Sequence, residues 1–398
     1  MKRVRKENYT HTIYACYVGY IVQAIINNLP PLLFLTFEQS MGISISRIGL
    51  LITINFGTQI VVDFLAAKYV DRIGYRRAIV AAHMFCIFGL LFMGILPRWM
   101  GNAYAGLVIA MVCNAIGGGL IEVLISPIVE AAPSSDAKET AMSLLHSFYC
   151  WGHVLVVLLS TVGFWIVGME HWYYLPMIWS IVPLINLFSF LRVPIRTLVE
   201  EDERTPAKEL LSTGAFWLFF LLMLCAGASE QGMSQWVSLF AEDGLGVSKT
   251  VGDILGPCLF AALMGTSRML YGKFGEHICL RGFMMGSSAL CVLSYLMAVF
   301  LKNPFPALLG CGLCGLSVGI LWPGTFSLAA KGCPCGGTLL FGLLALAGDL
   351  GCTAGPTLVS TVSSAFPQYG LKTGLFAAII FPCLMFVLLH TFGKRLHE

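Results

Sequence analysis

Charge is what this sequence has least of. Only 11% of its 398 residues are Asp, Glu, Lys or Arg, where a soluble domain carries about a quarter. So few charged groups cannot cover a water-exposed surface, which excludes a soluble globular fold. Segments that alternate apolar and polar residues with period two are also missing, which excludes a membrane β-barrel. There is no His-Glu-x-x-His, no Walker phosphate loop and no strand-to-helix nucleophile elbow. Nothing therefore points to an enzyme or to a nucleotide-driven pump. The 14 cysteines sit mostly inside apolar runs, where thiols act as small packing residues. Cys311-x-x-Cys314 and Cys333-x-Cys335 lack the second ligand pair a metal needs. No cofactor and no metal are expected.

What is present is apolar length. Hydrophobic residues make up 57% of the chain and the mean hydropathy is +0.81. They fall into runs of about 20 residues or more, enough to cross a hydrocarbon core of ~30 Å. The runs cover 11–37, 46–69, 77–97, 101–130, 139–168, 171–193, 212–240, 251–273, 279–301, 305–331, 335–365 and 370–392. The fold class expected is an all-α membrane protein of twelve spans, with no room for a separate soluble domain. The first run is too long for a signal-peptide core and is expected to remain as a span.

Basic residues sort by side. With the N-terminus cytoplasmic, 19 of the 24 Lys and Arg residues fall in inner segments, and Arg47, Arg98, Lys249, Lys302 and Lys372 fall in outer ones. That bias places both termini inside and requires an even number of spans. The localisation expected is the cell (inner) membrane, multi-pass, with the lipid bilayer as partner, no nucleic-acid partner and a monomeric state.

A polar stretch over 194–211 separates an N-terminal six-helix bundle (1–193) from a C-terminal one (212–398). The halves echo each other. Residues 37–44 (FEQSMGIS) correspond to 241–248 (AEDGLGVS) at an offset of 204, and 67–72 (AKYVDR) to 272–277 (GKFGEH) at 205. A parallel repeat of six helices with a site between the halves is a transporter pattern. The segment 71–77 (DRIGYRR) resembles the loop signature of the major facilitator superfamily, with Ala67 where that signature has Gly. Residues 118–127 (GGLIEVLISP), 319–328 (GILWPGTFSL), 145–152 (LHSFYCWG) and 230–236 (EQGMSQW) resemble the fucose-permease-like, sugar:proton symporter branch.

The resemblance implies two pseudo-symmetric six-helix bundles in which helices 1, 4, 7 and 10 line a central cavity. Polar and aromatic residues crowd onto those helices. Ionisable groups at lipid depth face a cavity or a partner, and Glu122, Glu230, Asp63, Asp349, His146 and His153 are the candidates. Glu122 and Glu230 are expected to bind substrate and to carry the coupling proton; the competing readings are a Glu122 carboxyl neutralised by hydrogen bonds within the bundle and a Glu230 that bonds polar substrate groups without titrating. Asn27, Asn28, Gln231 and Gln235 offer the mixed donors and acceptors that a polyhydroxyl solute needs. Tyr149, Trp236 and Trp322 offer faces for stacking on a sugar ring, and His146 completes the expected substrate set. For these the competing reading is helix–helix packing. Asp71, Arg72, Arg76, Arg77 and Glu130, with Arg268 in the second half, are expected to form a gating latch at the cytoplasmic ends. The alternative is positive-inside anchoring. Pro127, Pro323 and Pro356 are expected to bend helices 4, 10 and 11.

The function expected is secondary active transport of a small polar solute, a sugar by resemblance, by alternating access with proton symport. The alternative is an exporter of drugs or metabolites on the same fold, which predicts a more aromatic cavity with fewer amides. Two departures from the symporter pattern stand out. Asn27 and Asn28 occupy helix 1 where an acidic residue is expected, and Ser126 replaces the Asn before Pro127.

Overall fold

The computed structural model describes residues 9–131, 138–195, 207–274, 279–333 and 337–395. Among these, twelve helical stretches are long and apolar enough to cross a membrane. In chain order they are span 1, Thr10–Met41; span 2, Ile45–Ala66; span 3, Tyr75–Trp99; span 4, Ala103–Ile125; span 5, Leu145–Val167; and span 6, Tyr174–Arg192. The second half holds span 7, Gly214–Gly244; span 8, Lys249–Tyr271; span 9, Leu280–Phe300; span 10, Pro304–Ala329; span 11, Gly342–Ala365; and span 12, Leu371–Thr391. Each apolar run of the sequence overlaps one of them, and no strand occurs among the described residues. Twelve crossings return both ends of the chain to one face, called the terminal face below. Of the linker expected over 194–211, residues 196–206 lie outside the described residues.

The repeat seen in the sequence is a repeat of turns. Span 1 ends at Gly42 with φ +64, and Ser44 then opens span 2 with its side chain accepting from the Arg47 amide. Span 7 leads to Gly246 with φ +67, and Ser248 precedes span 8 in the same extended conformation. A positive φ at a helix end suits glycine, which has no Cβ to clash. Both pairs are 204 residues apart, so the echo between 37–44 and 241–248 encodes one sharp corner used twice. A second repeated device was not visible in the sequence. Arg76, at the start of span 3, donates to the Phe190, Leu191 and Val193 carbonyls at the end of span 6 at 2.8, 2.9 and 2.7 Å. Arg281, 205 residues on, donates to the Leu389 and His390 carbonyls at the end of span 12 at 2.7 and 3.1 Å. The last carbonyls of a helix have no intrahelical partner, and a cation there also suits the helix dipole.

Within the first half, spans 1, 4 and 5 pack together while span 3 lies along 4 and 6; in the second, span 7 packs on 10, 11 and 12, and span 9 on 10 and 12. The halves meet along two seams, span 2 against span 11 and span 5 against span 8. Small residues permit the closest crossings. A Cβ at Gly351 would lie 2.0 Å from the Leu224 carbonyl oxygen, and one at Gly315 equally close to that of Phe260.

Several spans are interrupted. Span 1 passes through a 3-10 turn at Pro30–Leu33, span 7 breaks at Gln235 and Trp236, and span 10 breaks between Val318 and Leu321. Proline removes the bond to the carbonyl four residues earlier. Pro31 thus frees the Asn27 carbonyl, and Pro323 frees that of Gly319. Span 11 runs as one helix through Pro356, without the break that Pro323 produces. The helix of span 4 continues through Pro127 to Ala131.

Candidate functional site: a buried polar cluster between the halves

The freed carbonyls are where the site begins. Gln235 Nε2 of span 7 donates to the Asn27 carbonyl of span 1 at 3.3 Å, across the two halves. Arg268 of span 8 donates through Nε to the Gly319 carbonyl at 3.3 Å and through Nη1 to the His146 carbonyl of span 5 at 3.4 Å. Its remaining nitrogen, Nη2, lies 3.6 Å from Glu230 Oε2, with the two side chains 11% and 9% exposed. The proline break thus supplies an acceptor that holds the guanidinium at the level of Glu230.

From Glu230 an amide ladder runs to span 1. Gln231 donates to Glu230 at 3.4 Å and Gln235 donates to Gln231 at 2.9 Å. Asn27 Oδ1 accepts from Gln59 at 3.1 Å and from Asn55 at 3.5 Å. Asn28 donates to the Ala24 carbonyl and to the Tyr149 hydroxyl, at 2.9 and 3.2 Å. Glu122 accepts from Gln23 Nε2 at 2.5 Å, and is half-buried while Glu230 is buried. The His146 ring stands 5.3 Å from that of Tyr20.

Asn27, Asn28, Tyr149, Glu230, Gln231 and Gln235 are thus joined by hydrogen bonds, and Glu122 joins them electrostatically through Glu230. Trp322 is half-buried beside Phe326, and its ring lies over Gly348 of span 11, where a Cβ would come within 2.1 Å of it. Trp236 stands apart from this group. It is fully buried, donates its indole N–H to the Pro356 carbonyl at 3.3 Å and packs 5.8 Å from Phe34 of the other half. It belongs to the closure on the side opposite the termini.

The latch expected at the cytoplasmic ends includes Arg268. It lies inside span 8, bound to Glu230. Arg76 closes the end of span 6 within its own half, and Arg77 is exposed. The side chains of Asp71, Arg72 and Glu130 lie outside the described residues, as do Glu276 and His277. Sequence reasoning missed Gln23, Asn55 and Gln59. Their signal was present: polar amides one or two turns apart in otherwise apolar spans.

A second charged group closes the opposite face. Lys249 Nζ lies 3.0 Å from Glu242, 3.1 Å from Asp253 and 2.8 Å from the Leu32 carbonyl of the first half. Asp253 is fully buried and also accepts from Ser238 at 2.6 Å and from Thr161 of span 5 at 3.2 Å. Along the other seam Thr53 and Thr357 share a hydrogen bond of 2.5 Å.

Two pseudo-symmetric bundles of six spans, joined around a buried polar cluster, describe a membrane transporter. The profile of the major facilitator superfamily matches residues 16–356, and the chain belongs to that superfamily. Among solved structures it is similar to the E. coli fucose:proton symporter, with 14% identity, 96% of this chain and 98% of that one covered, and a TM-score of 0.67. It is also similar to a D-xylose-proton symporter, at 14% identity, 95% and 96% coverage and a TM-score of 0.75. A bacterial homologue of the human lysosomal transporter Spinster matches at 14% identity, 97% coverage of both chains and 0.75. At such identity the likeness is one of fold. No curated protein matches the chain.

Proposed function

We propose that the chain is a secondary active transporter that moves a small, neutral polar solute, a sugar, by alternating access with proton symport. The observation that carries this reading is the cluster itself. Five amides (Gln23, Asn27, Asn28, Gln231 and Gln235) and the Tyr149 hydroxyl offer paired donors and acceptors at membrane depth, the chemistry that recognises hydroxyl groups. The positive charge of Arg268 is already matched by Glu230, which favours an uncharged solute. Trp322, half-buried between Phe326 and Gly348 of span 11, supplies a stacking face. An exporter of apolar drugs would need more exposed rings and fewer amides here.

Glu122 is the group that loads and releases the proton. It is half-buried, with Gln23 as its side-chain partner and no cation beside it among the described residues, whereas Glu230 is held by Arg268. Glu230 then senses substrate by way of that ion pair. Both termini face the cytoplasm of a cell whose inner membrane holds the protein, and the monomer is the working unit. Asp71, Arg72, Arg76, Arg77 and Glu130 gate that face, with Arg76 as the fixed pivot of the group.

Reconstituted proteoliposomes test this. Under an imposed pH gradient, labelled monosaccharides should accumulate in vesicles carrying the native protein. Glu122→Gln should abolish gradient-driven uptake while leaving counterflow intact. Uptake that ignores the gradient in both proteins refutes proton symport. Uptake of amphipathic drugs but of no sugar refutes the solute class.

A further inference from the structure

The cluster leaves two carboxyls unused. Asp63 of span 2 and Asp349 of span 11 face each other across the seam between the halves, carboxyl to carboxyl within hydrogen-bonding range. They are 7% and 2% exposed. Both oxygens of Asp63 and Oδ2 of Asp349 are buried with no donor among the described residues. Gly119 of span 4 closes over Asp63, where a Cβ would stand 3.0 Å from Oδ1. The ionisable groups facing the pair are Glu122 from span 4 and Cys352 one turn along span 11, with Glu230 acting on both of those from span 7. Gln59, one turn from Asp63, spends its amide on Asn27. The one described cation at this depth, Arg268, is engaged by Glu230 and two carbonyls.

Two buried carboxylates in contact, with no cation and no donor among the described residues, repel each other and lose their hydration together. The pair needs one positive charge between them. A bound alkali cation would require several more oxygen ligands, and no group of three or more acidic, His or Cys side chains able to hold a metal occurs among the described residues. A single proton meets the need, turning one carboxyl into the donor its neighbour lacks.

We propose that Asp63 and Asp349 form a proton-binding site in which one proton bridges the two halves and holds the span 2–span 11 seam closed. Its contacts toward the opposite face include Thr53 with Thr357 and Ser360 against Gly49, which are between neutral groups, so among the described residues the aspartate pair is its titrating element. When the proton leaves to water, two facing negative charges remain, the seam parts and the carboxylates hydrate. By linkage the closed state binds the proton more tightly, so acid favours closure. This site requires no particular solute and stands whether or not Glu122 couples transport to protons.

The test uses full-length protein in lipid nanodiscs, made with aspartate carrying heavy carbon at its side-chain carboxyl. Infrared spectra at neutral pH should show a protonated-carboxyl band that shifts with the label and disappears in Asp63→Asn and in Asp349→Asn alike. Absence of a label-sensitive band in the native protein overturns the proposal without any variant. A band that survives both substitutions overturns it too. Spin labels at Ile73 and Gly342, one on each side of the seam, should move apart in the native protein as pH rises. In the double variant Asp63→Asn/Asp349→Asn the separation should stay at its closed value at every pH. A separation that follows sodium concentration at fixed pH, or that titrates in the double variant as in the native protein, refutes proton bridging.

Discussion

Replacing Lys249 by methionine removes the charge that fastens span 8 to span 1 while keeping the side chain's apolar length. Two losses follow, and they separate. Within the second half, Glu242 and Asp253 lose their shared cation, although Asp253 keeps Ser238 and Thr161 as donors. Between the halves, the bond of 2.8 Å to the Leu32 carbonyl disappears, with the ammonium's position 5.3 Å from the Phe164 ring. A hydrogen bond from a charged donor contributes about 1.5–3 kcal/mol, and each ~1.4 kcal/mol is a tenfold change in an equilibrium. The population open on the face opposite the termini should therefore rise about 10- to 100-fold. Pulsed spin-label distances between Ser40 and Tyr369, exposed ends of the two halves on that face, read that population directly. Glu242→Gln keeps the bond to Leu32 and should shift the distances far less. If Lys249→Met leaves the distance distribution unchanged, or if Glu242→Gln shifts it as much, the closure does not rest on the cross-half bond.

Arg76→Ala should lower the unfolding temperature in detergent more than Arg281→Ala, because three carbonyls lose their donor against two; the loss expected is about 2–4 kcal/mol for Arg76. Arg76→Lys should recover only part of it, since one ammonium does not reproduce the planar fork, and full recovery would refute the capping role. Gly351→Ala sets a methyl 2.0 Å from the Leu224 carbonyl oxygen and should cost about 1–3 kcal/mol by overpacking, seen as loss of monodisperse protein. Gly57→Ala, where no atom lies within 4 Å of the new methyl, should behave as the native protein. Glu230→Gln should release Arg268 and weaken solute binding, measured as a rise in the concentration for half-maximal counterflow, whereas Pro323→Ala should restore the span 10 helix bond and withdraw the Gly319 carbonyl from Arg268.

The twelve spans and the repeat were legible because both are written in composition and in turn chemistry. Apolar length does not depend on what a helix packs against, and Gly42 with Ser44 needs the same local geometry as Gly246 with Ser248. The polar residues of helices 1, 4 and 7 could also be picked out, since a Gln or Glu at lipid depth is conspicuous by its surroundings. What the sequence hid was pairing. Arg268 lies near the terminal face by its number, yet its long side chain reaches back to Glu230 because the Pro323 break offers it a carbonyl there. Trp236 reads like an aromatic at the site, but the break in span 7 turns it toward Phe34 and Pro356. Asp63 and Asp349 stand out singly, and nothing in their spacing of 286 positions says that they meet. Contacts between the halves depend on three-dimensional register, which a linear pattern does not carry.

Several of the joints between the halves are received by the main chain. Asn27, Leu32, His146 and Gly319 each offer a carbonyl to a side chain, three of them to one from the opposite half, and a carbonyl persists whatever side chain its residue bears. Mutational tolerance should be lopsided as a result. Substituting the accepting residues leaves the acceptor in place, while substituting Gln235, Lys249 or Arg268 removes the donor outright. The prolines act as a third, indirect class, because moving Pro31 or Pro323 by one position would present a different carbonyl. A saturation library scored for conformational balance should divide along these lines, with donors and prolines less tolerant than Leu32 and His146, while Gly319 is restricted separately because a Cβ there would stand 2.7 Å from that of Ser267.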